Sequence, residues 1–173
     1  MKTRESGMLL ILDRLSLVGI AGDIVEFGCG FTIPAAERAS GIVYALDIEP
    51  EMIAAVAAKA KQLPNVRPVV RDFVTEGTGL PADCADYAIL FNILHAEESP
   101  TMLAEAIRIL LPGGLMGIIH WNYDPTTPRG PSMEIRPRPE DIRDSAIRAG
   151  FQLMPPGVID MPPFHYGMAL RKP

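Results

Sequence analysis

A glycine turn flanked by acids and a pair of histidines carry most of the chemistry this sequence can offer. Glu26, Gly28, Cys29 and Gly30 fall within one stretch, IVEFGCG, and Asp47 closes the next apolar run, GIVYALD. Glycines between a buried strand and a helix let another molecule approach the backbone closely. An acid at the end of the next strand suits a ribose, because both carboxylate oxygens can accept from its paired hydroxyls. Asp72 follows a third apolar run, Asn92 ends a fourth, and His120 lies near the end of a fifth, with His95 shortly after the fourth. Free histidine titrates near pH 6.5, so either imidazole can take a proton at neutral pH.

These residues need a scaffold, and the hydrophobic pattern supplies one. DIVEFG, GIVYALD, NVRPVV, ADYAILFN and GLMGIIHW read as five strands. Their near-continuous hydrophobicity predicts a parallel sheet covered on both faces. Pro68 in the third run cannot donate to a ladder, so that strand is expected at an edge. Helices alternate with the strands. Met52, Val56, Ala60 and Leu63 are expected on one buried face. A second helix is expected to start at Pro100 with Ser99 as its cap. Leu103, Ile107 and Leu110 form its stripe, and Pro112-Gly113-Gly114 ends it. A last helix is expected from Pro139 to Ala149, with Gly150 ending it. The result is a Rossmann-like, doubly wound α/β sheet. After Gly150, FQLMPPGVIDM and FHYGMALRK read as a closely joined antiparallel pair. His165 and Tyr166 in that pair must face opposite ways. Asn122 to Glu140, rich in proline and without apolar period, reads as a long loop.

Composition narrows the function. The chain has 173 residues, which suits one domain spanning 1–173. Acids outnumber bases 21 to 16, giving a net charge of −5, and no basic stripe favours nucleic acid. Cys29 and Cys84 have no metal or disulfide spacing, so no metal is expected and a reducing, cytoplasmic setting fits. The apolar run from Met8 to Leu12 is too short for a signal peptide and reads as an ordinary helix. No segment is long enough to span a bilayer.

A dinucleotide fingerprint would need a third glycine at position 33, which is Ile33, and no Gly-Lys-Ser/Thr follows for a phosphate loop. Instead, Glu26 to Gly30 resembles the acid-x-Gly-x-Gly motif of class I S-adenosylmethionine-dependent methyltransferases. VYALDIEPEMI resembles their second motif, VVRDFV their third, and LLPGGLMGI the approach to their fifth strand. The nearest type is similar to small metabolite methyltransferases of the quinone-biosynthesis kind. The resemblance implies seven strands in the order 3-2-1-4-5-7-6, the seventh antiparallel. It also implies that S-adenosyl-L-methionine binds at Glu26, Gly28, Cys29, Gly30, Asp47, Ile48, Asp72, Phe73 and Asn92. Glu26 would face the methionine ammonium, Asp47 the ribose and Ile48 the adenine. Asp72 and Phe73 would meet the adenine edge, and Asn92 the methionine portion. The plainer alternative for Asp72 is a loop acid paired with Arg71. Thr32, where the family often has glycine, is expected to cap the following helix with its hydroxyl.

His95 is the candidate base and His120 the candidate substrate-orienting residue. The partner expected is a small-molecule methyl acceptor, with the proline-rich loop forming one wall of its site. A second copy of the chain stays open as a further partner. The competing readings are a catalytically silent S-adenosylmethionine-binding module and an NAD-linked oxidoreductase.

Overall fold

The computed structural model describes residues 12–17, 20–95 and 97–173. Strands β1 (Ile24–Phe27), β2 (Val43–Asp47), β3 (Val66–Val70), β4 (Ala85–Phe91) and β5 (Leu110–Trp121) run parallel in one sheet. Helices α1 (Thr32–Ala36), α2 (Pro50–Lys59), α3 (Ser99–Ile109) and α4 (Pro139–Arg148) connect or follow them. Three more strands complete the sheet: β6 (Gln152–Leu153), β7 (Ile159–Met161) and β8 (His165–Arg171). The order is β3-β2-β1-β4-β5-β8-β6, with β7 also on β8, and β8 is antiparallel to β5. This is the expected Rossmann-like, doubly wound sheet. The chain winds outward one way from β1 and the other way from β4. The crevice between those neighbours is therefore the switch point where such sheets bind ligands.

Alternation assigns the two cores. Val25 and Phe27 of β1 point to the layer of α3 and α4, packing with Leu103, Ala106 and Ile142. Ile24 points to the opposite layer, with Ala35, Ile53 and Val56 of α1 and α2. Both faces of β1 are thus covered, as the unbroken apolar run predicts.

Four sequence expectations change in detail. The sixth strand is two pieces, because Pro155-Pro156-Gly157 interrupts it. Leu153 pairs with Leu170, and Ile159 pairs with Gly167 further along β8. Prolines have no N–H to give the ladder, so pairing lapses between the pieces. On α2, Met52 is 45% exposed and Ile53 joins Val56 in the core instead. Helix α3 begins at Ser99, one residue early. The Glu98 carbonyl accepts from the Thr101 and Met102 N–H groups, so Ser99 sits inside the first turn. Leu110 is fully buried but already opens β5, which contains Pro112-Gly113-Gly114. Pro68 sits on the β3 edge as expected.

Of the helix expected at the amino end, residues 1–11 lie outside the described part and 12–14 are helical. Leu12, Leu15 and Leu17 are buried, and the Leu15 carbonyl accepts from the Tyr87 hydroxyl at 2.7 Å. Among the described residues no helix is long and apolar enough to cross a membrane.

Candidate active site

Every candidate residue lies at the carboxyl edge of the sheet, where β1 to β5 end. After β1 the chain turns at Gly28, whose φ is +80°, a conformation that side chains with a Cβ rarely adopt. At Gly30 the reason differs. A Cβ built there meets nothing within 4 Å, so the glycine borders open space. Glu26 supports this turn from beneath. It is only 1% exposed, and its oxygens accept from the Phe31 N–H and the Thr32 hydroxyl, each at 2.5 Å. Thr32 therefore serves the acid of β1 and not the helix end, which has no side-chain cap. Burial pushes the Glu26 carboxyl up to about 7, against the opposing hydrogen bonds from Thr32, Phe31 and Gly30.

Asp47 ties the first two loops together. Oδ2 accepts from the Cys29 N–H and thiol, both at 3.2 Å, and Oδ1 accepts from the Glu49 N–H at 3.0 Å. A carboxylate has about four acceptor positions, so one remains for a ligand. Burial, with the neighbouring Asp47 carboxylate, pushes the Cys29 thiol up to about 12. Ile48, 56% exposed, offers an apolar surface beside Asp47. Asp72 does not pair with Arg71. Its Oδ1 accepts from the Val74 and Thr75 N–H groups at 3.1 Å, while Arg71 bonds Glu76 and the Gly77 carbonyl. Hydrogen bonding by Thr75 and Val74 holds the Asp72 carboxyl below its ordinary range. Phe73 packs edge-on against Phe27, with ring centres 5.2 Å apart.

The β4 end joins the glycine turn to a cavity. Asn92 takes a φ of +60°, and its N–H donates to the Ile119 carbonyl of β5 at 2.7 Å. Asparagine tolerates this conformation better than most side chains. Next, the Ile93 side chain lies where a Gly28 Cβ would contact it at 3.7 Å. Leu94 and His95 then line a cavity of about 230 Å³ between α3, α4 and the proline-rich loop. Buried Leu103 and Ile142 extend its apolar lining, and Ser145 and Asp141 add polar atoms. Ile135 and Pro137 come from the loop, which therefore forms part of the cavity wall.

His95 and His120 come together, with ring centres 5.7 Å apart. Tyr166 stands beyond His120 at 6.2 Å, and its hydroxyl donates to the Pro137 carbonyl at 3.3 Å. Its neighbour His165 faces the other way and stacks on Trp121 at 4.1 Å. His120 is 0% exposed. Burial, then the neighbouring His95, pushes its pKa down to about 4, although the Trp121 backbone opposes this. Burial also lowers His95. Both rings are neutral at pH 7.

One important residue escapes sequence reasoning. Arg136, buried in the middle of a proline-rich tract, donates to the carbonyls of Asn122, Asp124, Arg129 and Pro131 and to the Thr127 hydroxyl. These bonds fold the loop around one guanidinium. Gly130 then lies against Trp121, where a Cβ would come within 2.8 Å of the ring. An arginine between prolines has no periodic signal, so nothing in the sequence marks it.

A doubly wound sheet with a glycine turn at its switch point, an acid ending β2 and an antiparallel final strand defines a Rossmann-like methyltransferase fold. The chain belongs to the methyltransferase domain family, which matches residues 24–114. A SAM-dependent methyltransferase from Aquifex aeolicus superposes with a TM-score of 0.80 at 21% identity, over 95% of this chain and 88% of that one. Geranyl diphosphate methyltransferase in complex with SAM gives 0.80 at 14% identity, over 98% and 85%. The [4+2]-cyclase SpnF gives 0.79 at 18% identity, over 98% and 80%. No curated protein matches the chain.

Proposed function

We propose that the protein transfers a methyl group from S-adenosylmethionine to a small-molecule acceptor. One observation carries this reading. The stretch from Asn92 to His95 meets the glycine turn through Ile93 and lines the cavity through Leu94 and His95. A donor seated on the turn and an acceptor seated in the cavity are thereby neighbours.

The residues fit the cofactor. Gly30 borders open space, Asp47 keeps one acceptor position, and Ile48 presents an apolar face. In this reading Asp47 takes the ribose hydroxyls, Ile48 lies against the adenine, and Asp72 and Phe73 stand at its edge. Gly28, Cys29 and Gly30 give backbone room. Glu26 holds the turn and places negative charge beneath the cationic methionine portion. Asn92 contributes at the methionine end. When bound, the cofactor supplies an already activated methyl group. The chain's own task is to hold the acceptor in line at roughly 3 Å, which alone accounts for much of the acceleration. His95 is placed to take a proton from an acceptor that must lose one.

A second reading is a binding module of the same fold that transfers no methyl group. The likeness to a [4+2]-cyclase favours keeping it, since one fold hosts unrelated chemistry. Incubation with labelled S-adenosylmethionine and fractionated small metabolites decides between the two. Methyl transfer to a metabolite supports the first reading. S-adenosylhomocysteine binding without transfer to any fraction supports the second.

A further inference from the structure

A ribose offers Asp47 two neighbouring hydroxyls, yet the carboxylate has one acceptor position open. Its positions divide two to each oxygen. Among the described residues, Oδ1 accepts from the Glu49 N–H at 3.0 Å and keeps one position. Oδ2 accepts from both the Cys29 N–H and the Cys29 thiol, each at 3.2 Å, and keeps none. One ribose hydroxyl can therefore settle on Oδ1 beside the Glu49 N–H. The second reaches Oδ2 only where a present donor gives way.

The two donors on Oδ2 are unequal. The Cys29 N–H is held by the backbone of the turn, between Gly28 at a φ of +80° and the Phe31 N–H bonded to Glu26. The thiol hangs on one rotatable Cα–Cβ bond and is a weak donor, whereas a hydroxyl on a carboxylate makes a short, strong bond. Burial, with Asp47, keeps the thiol protonated at pH 7, so it meets the ribose as a donor and not as a charge. Once displaced, it can turn into the core layer it already shares with Ala35 and Ile53, where a cysteine packs as a small apolar group. Gly30 beside it borders open space and Asp47 is half-buried, so a ribose has room to arrive.

We propose that the Cys29 thiol and one hydroxyl of the cofactor's ribose compete for a single acceptor position on Asp47 Oδ2, a competition that rests on the methyl-transfer reading for the identity of the nucleoside and not for the contacts of Asp47. The thiol steps aside as the ribose is seated on both oxygens, and it takes the position back as the ribose leaves. Cys29 thereby loosens the hold of the site on its nucleoside instead of adding to it. S-adenosylmethionine and S-adenosylhomocysteine carry the same ribose, so the returning thiol favours release of the product as well.

The test is calorimetry on the full chain at pH 7.5 with S-adenosylhomocysteine and with its 2′-deoxy and 3′-deoxy analogues. Removing a competitor should tighten binding, the reverse of losing a contact residue. Cys29→Ala should bind S-adenosylhomocysteine about three- to tenfold more tightly than the parent, the range of one weak hydrogen bond. Cys29→Val, which also lacks a donor but keeps the bulk, covers the case in which alanine loosens the turn. One of the two deoxy analogues lacks the hydroxyl that meets Oδ2, and its affinity should respond to neither variant. Cys29 supplies the sole S–H stretching band of Cys84→Ala, because the chain has two cysteines. In Raman spectra that band should rise in frequency when S-adenosylhomocysteine binds. Binding weakened or unchanged in both Cys29 variants, an equal gain for all three ligands, or an unmoved S–H band overturns the proposal. Adenosine separates its failure from that of the methyl-transfer reading. If S-adenosylhomocysteine does not bind the parent while adenosine binds Cys29→Ala more tightly, methyl transfer falls and the competition at Asp47 stands. If S-adenosylhomocysteine binds parent and variants alike, the competition falls and the cofactor reading stands. If neither ligand binds, both fall.

Discussion

The Thr32 hydroxyl donates to the Glu26 carboxylate across the whole glycine turn, at 2.5 Å and out of contact with solvent. This bond makes the turn depend on a buried acid. Thr32→Val keeps the shape and removes the donor. A hydrogen bond to a charged group contributes about 1.5–3 kcal/mol. Urea denaturation at pH 8 should show a loss of that order, and at pH 5, with Glu26 protonated, a smaller one. Equal losses at both pH values would mean that Glu26 is not the ionised partner.

Glu26 and His120 should pull stability in opposite directions as pH changes. Folding raises the Glu26 pKa from 4.5 to about 7, so its contribution is full below pH 4.5 and is lost as pH rises through 7. Folding lowers the His120 pKa from 6.5 to about 4, so its contribution is full above pH 6.5 and is lost as pH falls through 4. His95 and His165 act in the same sense as His120. At about 1.4 kcal/mol per unit, the Glu26 and His120 effects are each on the order of 3 kcal/mol. Between pH 4.5 and 6.5 they offset one another. Relative to the parent, Glu26→Gln should make stability rise more steeply with pH there, and His120→Phe should make it fall. Denaturant midpoints across that window check both slopes.

Asp47→Ala should weaken S-adenosylhomocysteine binding by roughly 10- to 150-fold, the equivalent of about 1.5–3 kcal/mol. Because Asp47 also holds the Cys29 and Glu49 N–H groups, near-ultraviolet circular dichroism must first show that the variant is folded. Calorimetry on folded protein giving unchanged affinity would place the ribose elsewhere.

Arg136→Lys should free the proline-rich loop while sparing the sheet. Lysine has three donors and no planar fork, so it cannot span the carbonyls of Asn122, Asp124, Arg129 and Pro131. Hydrogen exchange should accelerate at least tenfold for amides of residues 122–138 and stay unchanged in β1 and β4. A loop that remains protected would show that its prolines suffice to order it.

The sheet was legible because each strand carries its own signal. Buried β-branched runs, a proline at the edge and glycines at the turns are local facts, and parallel topology follows from their alternation with helices. The β6–β7 break shows where this fails. Pro155-Pro156 was visible, but only pairing with β8 reveals that chain on both sides still follows the same edge. Helix faces were harder. Met52 and Ile53 are equally apolar, and the choice between them depends on how α2 rolls on the sheet. In the candidate site, Asp47 and the glycines stand out by spacing, whereas the bonds by which Glu26 also holds the turn, from the Phe31 N–H and the Thr32 hydroxyl, have no signal in the sequence. Arg136 had no signal at all. Its partners are backbone carbonyls, which every sequence contains and none displays.

The two borders of the sheet have a consequence for life in a concentrated solution. An unpaired strand is a template on which another chain can grow, and long flat borders seed aggregates. Here Pro68 interrupts the row of donors on the β3 side, and Pro155-Pro156-Gly157 splits the opposite side into short pieces. Neither border presents an unbroken row of N–H groups longer than a few residues. The same prolines that blur the strand pattern thus deny other chains a surface on which to nucleate.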